Sequence, residues 1–111
     1  MSDCVLVLCT CPDETSAARI AQTLVEERLA ACVNRIPGIT STYRWMGEIH
    51  NDGEVLLLIK SVHECFEALR DRIVALHPYE LPEVIAVDIG LGSAPYLDWI
   101  ARESVPDASS G

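Results

Sequence analysis

The sequence lacks three features that would each assign it to a broad class of proteins. No apolar run approaches the roughly 20 residues that a transmembrane helix needs. The chain has 8 Lys and Arg against 17 Asp and Glu, a net charge of −9, and no basic cluster that would neutralise several phosphates. Its first residues lack the basic flank of a secretory signal. We therefore predict a cytoplasmic protein that binds neither nucleic acid nor membranes.

Sequence motifs of common enzyme classes are also missing. The chain has no nucleophile-elbow motif, no glycine-rich phosphate loop and no paired-histidine metalloprotease motif. Cys9 and His77 are the residue types of a thiolate and its general base, but no further signature accompanies them. We predict that the protein is not an enzyme.

Cysteine is present, but not in the pattern of a disulfide framework. The five cysteines are an odd number, and the only close pair is Cys9-Thr10-Cys11 rather than C-x-x-C. With 111 residues and 50% apolar content, the chain is large enough to bury a core without disulfides. We predict one domain over residues 1–105 and a flexible C-terminal tail over residues 106–111.

Hydrophobic periodicity predicts the elements of the first half of the chain. Residues 5–8 form a short apolar run, which is typical of a central strand buried on both faces. Residues 13–28 carry apolar side chains at helical spacing. A strand bent at Pro37-Gly38 follows over residues 30–45, and residues 55–59 predict a third strand.

Two turn signals compete between the second and third strands. Asn51-Asp52-Gly53 is the stronger local hairpin signal, and Met46-Gly47 is the other. A turn at Met46-Gly47 would give arms of about 14 residues, whereas strands usually have roughly 5 to 6. The residues alone leave the choice open, but arms of that length would project toward a partner chain.

The second half of the chain completes a recognisable topology. Ser61 to Glu64 has the form of a capping box, and a helix continues to a stop before Pro78. A fourth strand follows over residues 84–89, and then a short helix with Ser93 as candidate cap. The order predicts an α+β fold of the ferredoxin-like, split βαβ type: βαββαβ plus a C-terminal helix, with an antiparallel four-stranded sheet.

Eight short motifs stand in one order across nearly the whole chain. They are Leu8-Cys9-Thr10, Pro12-Asp13-Glu14, Leu29-Ala30-Ala31-Cys32-Val33-Asn34, Pro37-Gly38-Ile39, Tyr43-Arg44-Trp45, Ile59-Lys60-Ser61, His77-Pro78-Tyr79 and Pro82-Glu83. Together they resemble the CutA divalent-cation tolerance family. The resemblance implies a homotrimer of ferredoxin-like subunits whose long hairpin arms pair across subunit boundaries, and it favours the turn at Met46-Gly47.

The resemblance also implies a copper site. In some family members the copper ligands include the Cys of the first strand, here Cys9, and the Glu after the second proline of the His-Pro-Tyr loop, here Glu83. Those members have a further His immediately before that motif, where this chain has Leu76, so His77 is the candidate third ligand. Thiolate and imidazole are donors that suit copper. The leading hypothesis is a non-enzymatic trimer that binds copper or other divalent cations through Cys9, His77 and Glu83.

An alternative is a sensor or adaptor resembling the trimeric PII proteins, which would act on an unidentified protein partner. Lys60, with Arg44 or Arg35, would then anchor a small anion in a cleft between subunits. The aromatic residues are candidates for lining such a cleft, although core or interface packing is their commoner role: Tyr43, Trp45, Tyr79, Tyr96 and Trp99.

Overall fold

The computed structural model describes residues 3–106 as an α+β fold with one sheet and three helices. Its elements are β1 (Cys4–Cys11), α1 (Glu14–Glu26), β2 (Cys32–Trp45), β3 (Glu48–Val62), α2 (Phe66–Leu76), β4 (Ile85–Asp88) and α3 (Ala94–Glu103). No helix within this range is both long and apolar enough to cross a membrane. The interpretation of residues 1–105 as one domain stays a prediction. Of the predicted tail, Pro106 is described and residues 107–111 lie outside the described residues.

The sheet confirms the predicted ferredoxin-like topology. Its strand order is β2-β3-β1-β4, and every neighbouring pair is antiparallel. β1 lies between β3 and β4, which confirms its predicted central position.

The long hairpin turns at Met46-Gly47. Both residues have positive φ, 52° and 83°, which is the backbone combination of a two-residue hairpin turn that follows strand twist. The arms pair from Cys32 opposite Lys60 to Trp45 opposite Glu48, with an irregularity between Ile36 and Ile39. Pro37 lacks an N–H and Gly38 has φ 78°, so the ladder breaks there and the predicted bend is confirmed.

The stronger local signal, at residues 51–53, lies inside β3. Gly53 and Asp52 pair with Thr40 and Ser41. The turn at Met46-Gly47 lets the two arms pair from Trp45 to Cys32 with one irregularity, and that long ladder outweighs the local preference of an Asp-Gly pair.

One face of the sheet carries the main core. Side chains alternate along a strand, so Val5, Val7, Cys9 and Cys11 share a face, and all four are buried against α1 and α2. On the opposite face, Leu6 and Leu8 are half-buried. The sequence predicts a strand that is buried on both faces. In the single chain, only the helix-covered face of β1 is fully buried.

The opposite face is covered by α3 at one end only. Ile100 of α3 packs with Cys4 and Val62 there. Farther along, Ile85 and Val87 of β4 remain 53% and 50% exposed. These two residues lie opposite Leu8 and Leu6 in the register, so an apolar strip runs along the uncovered face.

The predicted capping box at Ser61 to Glu64 is wrong. Ser61 lies within β3, fully buried, and its Oγ donates a hydrogen bond to the Leu29 carbonyl at 2.6 Å. Val62 precedes a single 3-10 turn, His63–Cys65, without a side-chain cap, and α2 begins only at Phe66. The sequence pattern failed because the strand extends farther than its apolar run suggests and its serine serves the core.

Candidate functional site

Two thiols of β1 form the centre of the candidate site. Cys9 and Cys11 are two positions apart on a strand, so both side chains point to the helix-covered face, where each is 0% exposed. Both cysteines are free, and we call them the thiol pair. They lie at the C-terminal end of β1, next to the segment that follows α2.

His77, the residue that directly follows α2, lies next to the thiol pair. Its backbone N–H still donates to Ile73 O at 2.8 Å, but Pro78 forces an extended conformation and ends the helix. The buried ring then spans two backbone groups: Nε2 lies 2.7 Å from the Thr10 carbonyl, and the Tyr79 N–H donates to Nδ1 at 3.0 Å. A carbonyl only accepts and an amide only donates, so the ring is neutral with its proton on Nε2.

The thiol pair and His77 meet the distance requirement of a metal site. One ligand atom from each of the three residues lies within 4.8 Å of the other two. Two donors bound at 2.3 Å to a tetrahedral ion lie about 3.8 Å apart, so a small adjustment would suffice. The two sulfurs suit a soft metal such as Cu(I) or Zn²⁺. His77 would have to release one of its backbone hydrogen bonds before it could bind.

The two thiols differ in acidity. A hydrogen bond to Cys11, followed by burial, strongly raises the pKa of the Cys9 thiol. The same hydrogen bond lowers the pKa of Cys11. A metal binds the thiolate form of cysteine, which this hydrogen bond favours at Cys11 and opposes at Cys9.

The structure separates the predicted ligands into two groups. It brings Cys9 and His77 together, whereas Glu83 is exposed on a neighbouring wall and is not part of the three-residue cluster. The charge of Glu83 nonetheless reaches the thiol pair, because it contributes to the raised pKa of Cys9. Leu76, at the position of the family histidine, packs against the core.

Cys11 is the member of the cluster that sequence reasoning missed. Its separation from Cys9 does not match the C-x-x-C pattern that indicates a metal or redox pair. The alternation of a strand was the available signal, because residues two apart on β1 must share a face.

A groove of about 780 Å³ adjoins the site, between the distal part of the hairpin and the loop after α2. At this groove, Glu54 is only 7% exposed, and its Oε2 accepts a hydrogen bond from the Tyr79 hydroxyl at 2.8 Å. Burial and this bond raise the pKa of Tyr79, so the hydroxyl stays protonated and donates. We call this space the groove, and its lining residues are Thr10, Ser41, Thr42, Tyr43, Arg44, Trp45, Glu54, Pro78, Tyr79, Glu80, Leu81 and Glu83.

The predicted anion anchors are not gathered in the groove. Arg44 lines it, but Lys60 donates to the Asn34 side chain in the β2–β3 ladder, and Arg35 is not among the lining residues. The aromatic residues are divided as well. Tyr96 and Trp99 contact each other in α3, with ring centroids 5.5 Å apart, away from the groove.

The chain matches the model of a known protein family. The profile of the CutA1 divalent ion tolerance protein family matches residues 5–103, nearly the whole described range. The chain belongs to the CutA1 family. This confirms the resemblance that the eight sequence motifs indicated.

Relatives in CutA1 span bacteria, plants and animals. The chain is 54% identical over 99 residues to the divalent-cation tolerance protein CutA of Thermus thermophilus, covering 89% of this chain and 96% of that relative. It is 50% identical over 101 residues to the human protein CutA, covering 89% of this chain but only 56% of the human protein. The chain thus spans little more than half of its human relative.

Solved CutA1 structures share the fold. The divalent cation tolerance protein of Thermus thermophilus superposes with a TM-score of 0.90 at 50% identity, covering 92% of this chain and 99% of that one. CutA from Xylella fastidiosa gives a TM-score of 0.91 at 50% identity, covering 94% and 100%.

Proposed function

We propose that this CutA1 chain is a non-enzymatic, trimeric protein that binds copper at the thiol pair and contributes to metal tolerance. The observation that carries the proposal is the convergence of Cys9, Cys11 and His77, whose ligand atoms lie within 4.8 Å of one another. Two cysteine sulfurs in a buried site favour a soft ion, and copper also heads the usual affinity order of divalent first-row metals. In this arrangement the cysteines are the primary ligands.

His77 and Glu83 have secondary places in the proposed site. Both ring nitrogens of His77 are hydrogen-bonded to backbone groups, and one of these bonds positions the Thr10 carbonyl between the two cysteines. His77 therefore becomes a third ligand only if one of its ring nitrogens exchanges its hydrogen bond for the metal. Glu83 supplies negative charge near the thiol pair and remains a candidate ligand from the groove side.

The trimer is proposed from the uncovered face of the sheet. Ile85 and Val87 leave apolar surface exposed beside Leu6 and Leu8, and the hairpin carries exposed Ile49 in one arm and Met46 in its turn. Apolar patches of this kind mark interfaces, and strand edges that pair in a closed ring are protected from aggregation.

We also propose that the protein works in a reducing compartment such as the cytoplasm. Cys9 and Cys11 of the proposed site are free thiols, as are Cys32 and Cys65. Oxidising compartments favour disulfides over free thiols, and the proposed site requires reduced sulfur.

Anaerobic competition titration with Cu(I) against a chromogenic chelator tests the metal site. Wild type is expected to take up one copper per chain, and Cys9→Ala or Cys11→Ala to weaken binding by roughly a hundredfold or more. Glu83→Gln, measured in parallel, reports whether the carboxylate is a ligand.

Cys65→Ala is the matched control for this titration. Cys65 is also a buried free thiol, but it packs with Val62 and Ile100, beneath α3. Wild-type affinity in this variant shows that the loss in the others is specific to the thiol pair. Equal copper affinity in wild type, Cys9→Ala and Cys11→Ala would show that the copper site does not lie on β1.

The groove gives little support to the alternative sensor of small anions. Its lining carries one guanidinium, from Arg44, against the carboxylates of Glu54, Glu80 and Glu83. A small anion would therefore enter a region of unfavourable potential.

A further inference from the structure

We propose that the groove binds a small organic cation of the guanidinium type, with the Glu54 carboxylate as its anchor. This site adjoins the thiol pair, with Glu83 on the wall that they share, and takes a different class of ligand. Three observations carry it: a buried acid without a cationic partner, aromatic walls, and an excess of negative charge.

The buried acid is Glu54. It is only 7% exposed and receives a hydrogen bond from the neutral Tyr79 hydroxyl on one oxygen. None of the ion pairs within residues 3–106 includes it, although Arg44 lines the same groove. A carboxylate withdrawn from water is costly unless a positive group compensates it, so the position is suited to a bound cation.

The aromatic walls select an organic cation over a metal ion. Trp45 and Tyr43 lie on the hairpin side of the groove and Tyr79 on the loop side, and both hairpin rings are about 40% exposed. A planar guanidinium stacks on aromatic faces and forms paired hydrogen bonds with a carboxylate. A hard divalent ion would instead seek oxygen ligands and would gain nothing from the rings.

The net charge of the lining agrees with this choice. Glu80 and Glu83 flank the entrance from the loop, so three carboxylates oppose the single Arg44 guanidinium. With a net charge of −9, the whole chain adds an attractive field for cations at long range.

Ligand-observed saturation-transfer NMR with methylguanidinium tests the proposal on the full-length protein, free of metal. Methylurea, nearly the same shape without the charge, is the matched ligand. We expect methylguanidinium to bind wild type and methylurea to give no saturable signal. Glu54→Gln keeps the acceptor for Tyr79 but loses the charge, so it is expected to weaken binding about tenfold or more.

Two controls and a second variant keep the test decisive if Glu54→Gln folds poorly. Glu67→Gln removes an exposed carboxylate on α2 and is expected to leave the dissociation constant unchanged. Trp45→Leu should weaken binding at least about threefold, whereas Tyr96→Leu, at a similarly exposed ring in α3, should have no effect.

Three results would overturn the proposal. They are equal binding of methylurea, equal binding by Glu54→Gln and wild type, and no binding of methylguanidinium to wild type. The last would result if a side chain from a second copy of the chain already fills the groove. None of these variants alters Cys9 or Cys11, so failure here leaves the copper titration unaffected.

Discussion

The imidazole of His77 joins two backbone segments, because it holds the Thr10 carbonyl of β1 and the Tyr79 amide of the following loop. Tyr79 in turn donates its hydroxyl to Glu54 of β3. A continuous chain of contacts therefore runs from the thiol pair to the groove. The ring is buried, so its loss would remove one hydrogen bond from each of these two backbone groups.

His77→Ala is expected to lower the free energy of unfolding by roughly 2 to 4 kcal/mol, since a buried ring and its two part-buried hydrogen bonds are lost. Urea denaturation followed by circular dichroism measures it. His63→Ala is the control, because the contact of His63 Nε2 with the Asp88 carboxylate at 2.8 Å is exposed and should contribute less than about 1 kcal/mol. Equal effects of the two substitutions would contradict the structural role of His77.

At this scale, the sequence could predict part of the candidate site. Alternation along β1 is enough to place Cys11 beside Cys9. The approach of His77 was implied only by the family resemblance, because it depends on the path of the chain after α2, which Pro78 sets through its local geometry. Glu83 ended on the groove wall for the same reason: no sequence periodicity governs an irregular loop.

Among the elements, the hairpin turn departs from the usual residue choice. Met46 has φ 52°, a left-handed conformation that non-glycine residues rarely adopt, and its side chain is 88% exposed. Asn tolerates this region better than Met and is preferred before Gly in such turns.

Met46→Asn is therefore expected to raise the free energy of unfolding by a few tenths to about 1 kcal/mol. Thermal and urea denaturation measure the change. Met46→Leu keeps an apolar side chain and the same backbone cost, so it should match wild type. A destabilised Met46→Asn would show that the Met side chain makes contacts beyond the single chain.

The N-terminus of α1 gives a pH prediction. Asp13 Oδ1 accepts a hydrogen bond from the Ser16 amide at 2.7 Å, and the bonds from Ser16 lower the pKa of this carboxyl below its usual value of 3.8. A lowered pKa in the folded state means that the contribution is present above the unfolded pKa and lost as pH falls through the folded one.

Wild type should accordingly lose more stability between pH 5 and pH 2, values on either side of the usual aspartate pKa of about 3.9, than Asp13→Asn does. Asn still caps the helix but does not titrate. Melting temperatures across this range provide the measurement, with Asp71→Asn as an exposed control. Parallel pH profiles of wild type and Asp13→Asn would show that the cap contributes nothing to acid sensitivity.

Element types were predictable, but some of their limits were not. Apolar periodicity located the strands and main helices because burial on one face imposes a period of two or 3.6 residues. The competing turns and the false capping box lay where local preference opposed long-range pairing: Asp52-Gly53 and Ser61 both joined β3. Tertiary pairing outweighed the local signal at both positions.

At the scale of the whole molecule, the uncovered face of the sheet predicts which substitution will dissociate the proposed trimer. Val87→Asp places a charge on the apolar strip, whereas Val74→Asp places one at a comparably exposed position of α2, on the other side of the molecule. We expect wild type and Val74→Asp to be trimers by native mass spectrometry, and Val87→Asp to dissociate. A trimer that tolerates the charge at Val87 would locate the interface elsewhere.

The position of β1 in the sheet has a consequence for the order of folding. The hairpin closes around two adjacent residues, but β1 pairs with β3 and with β4, where Val5 meets Asp88 near the other end of the described chain. Closing such a distant contact costs more chain entropy than closing the hairpin, so β1 is completed late.

Until β1 is completed, Cys9 and Cys11 are open to solvent, whereas in the folded chain both are inaccessible. We therefore expect copper to enter a refolding chain faster than the native protein, and stopped-flow uptake measured under both conditions would show the difference. With the thiol pair as the proposed copper site, copper in a cell would meet these two cysteines during synthesis on the ribosome, before the mature fold closes over them.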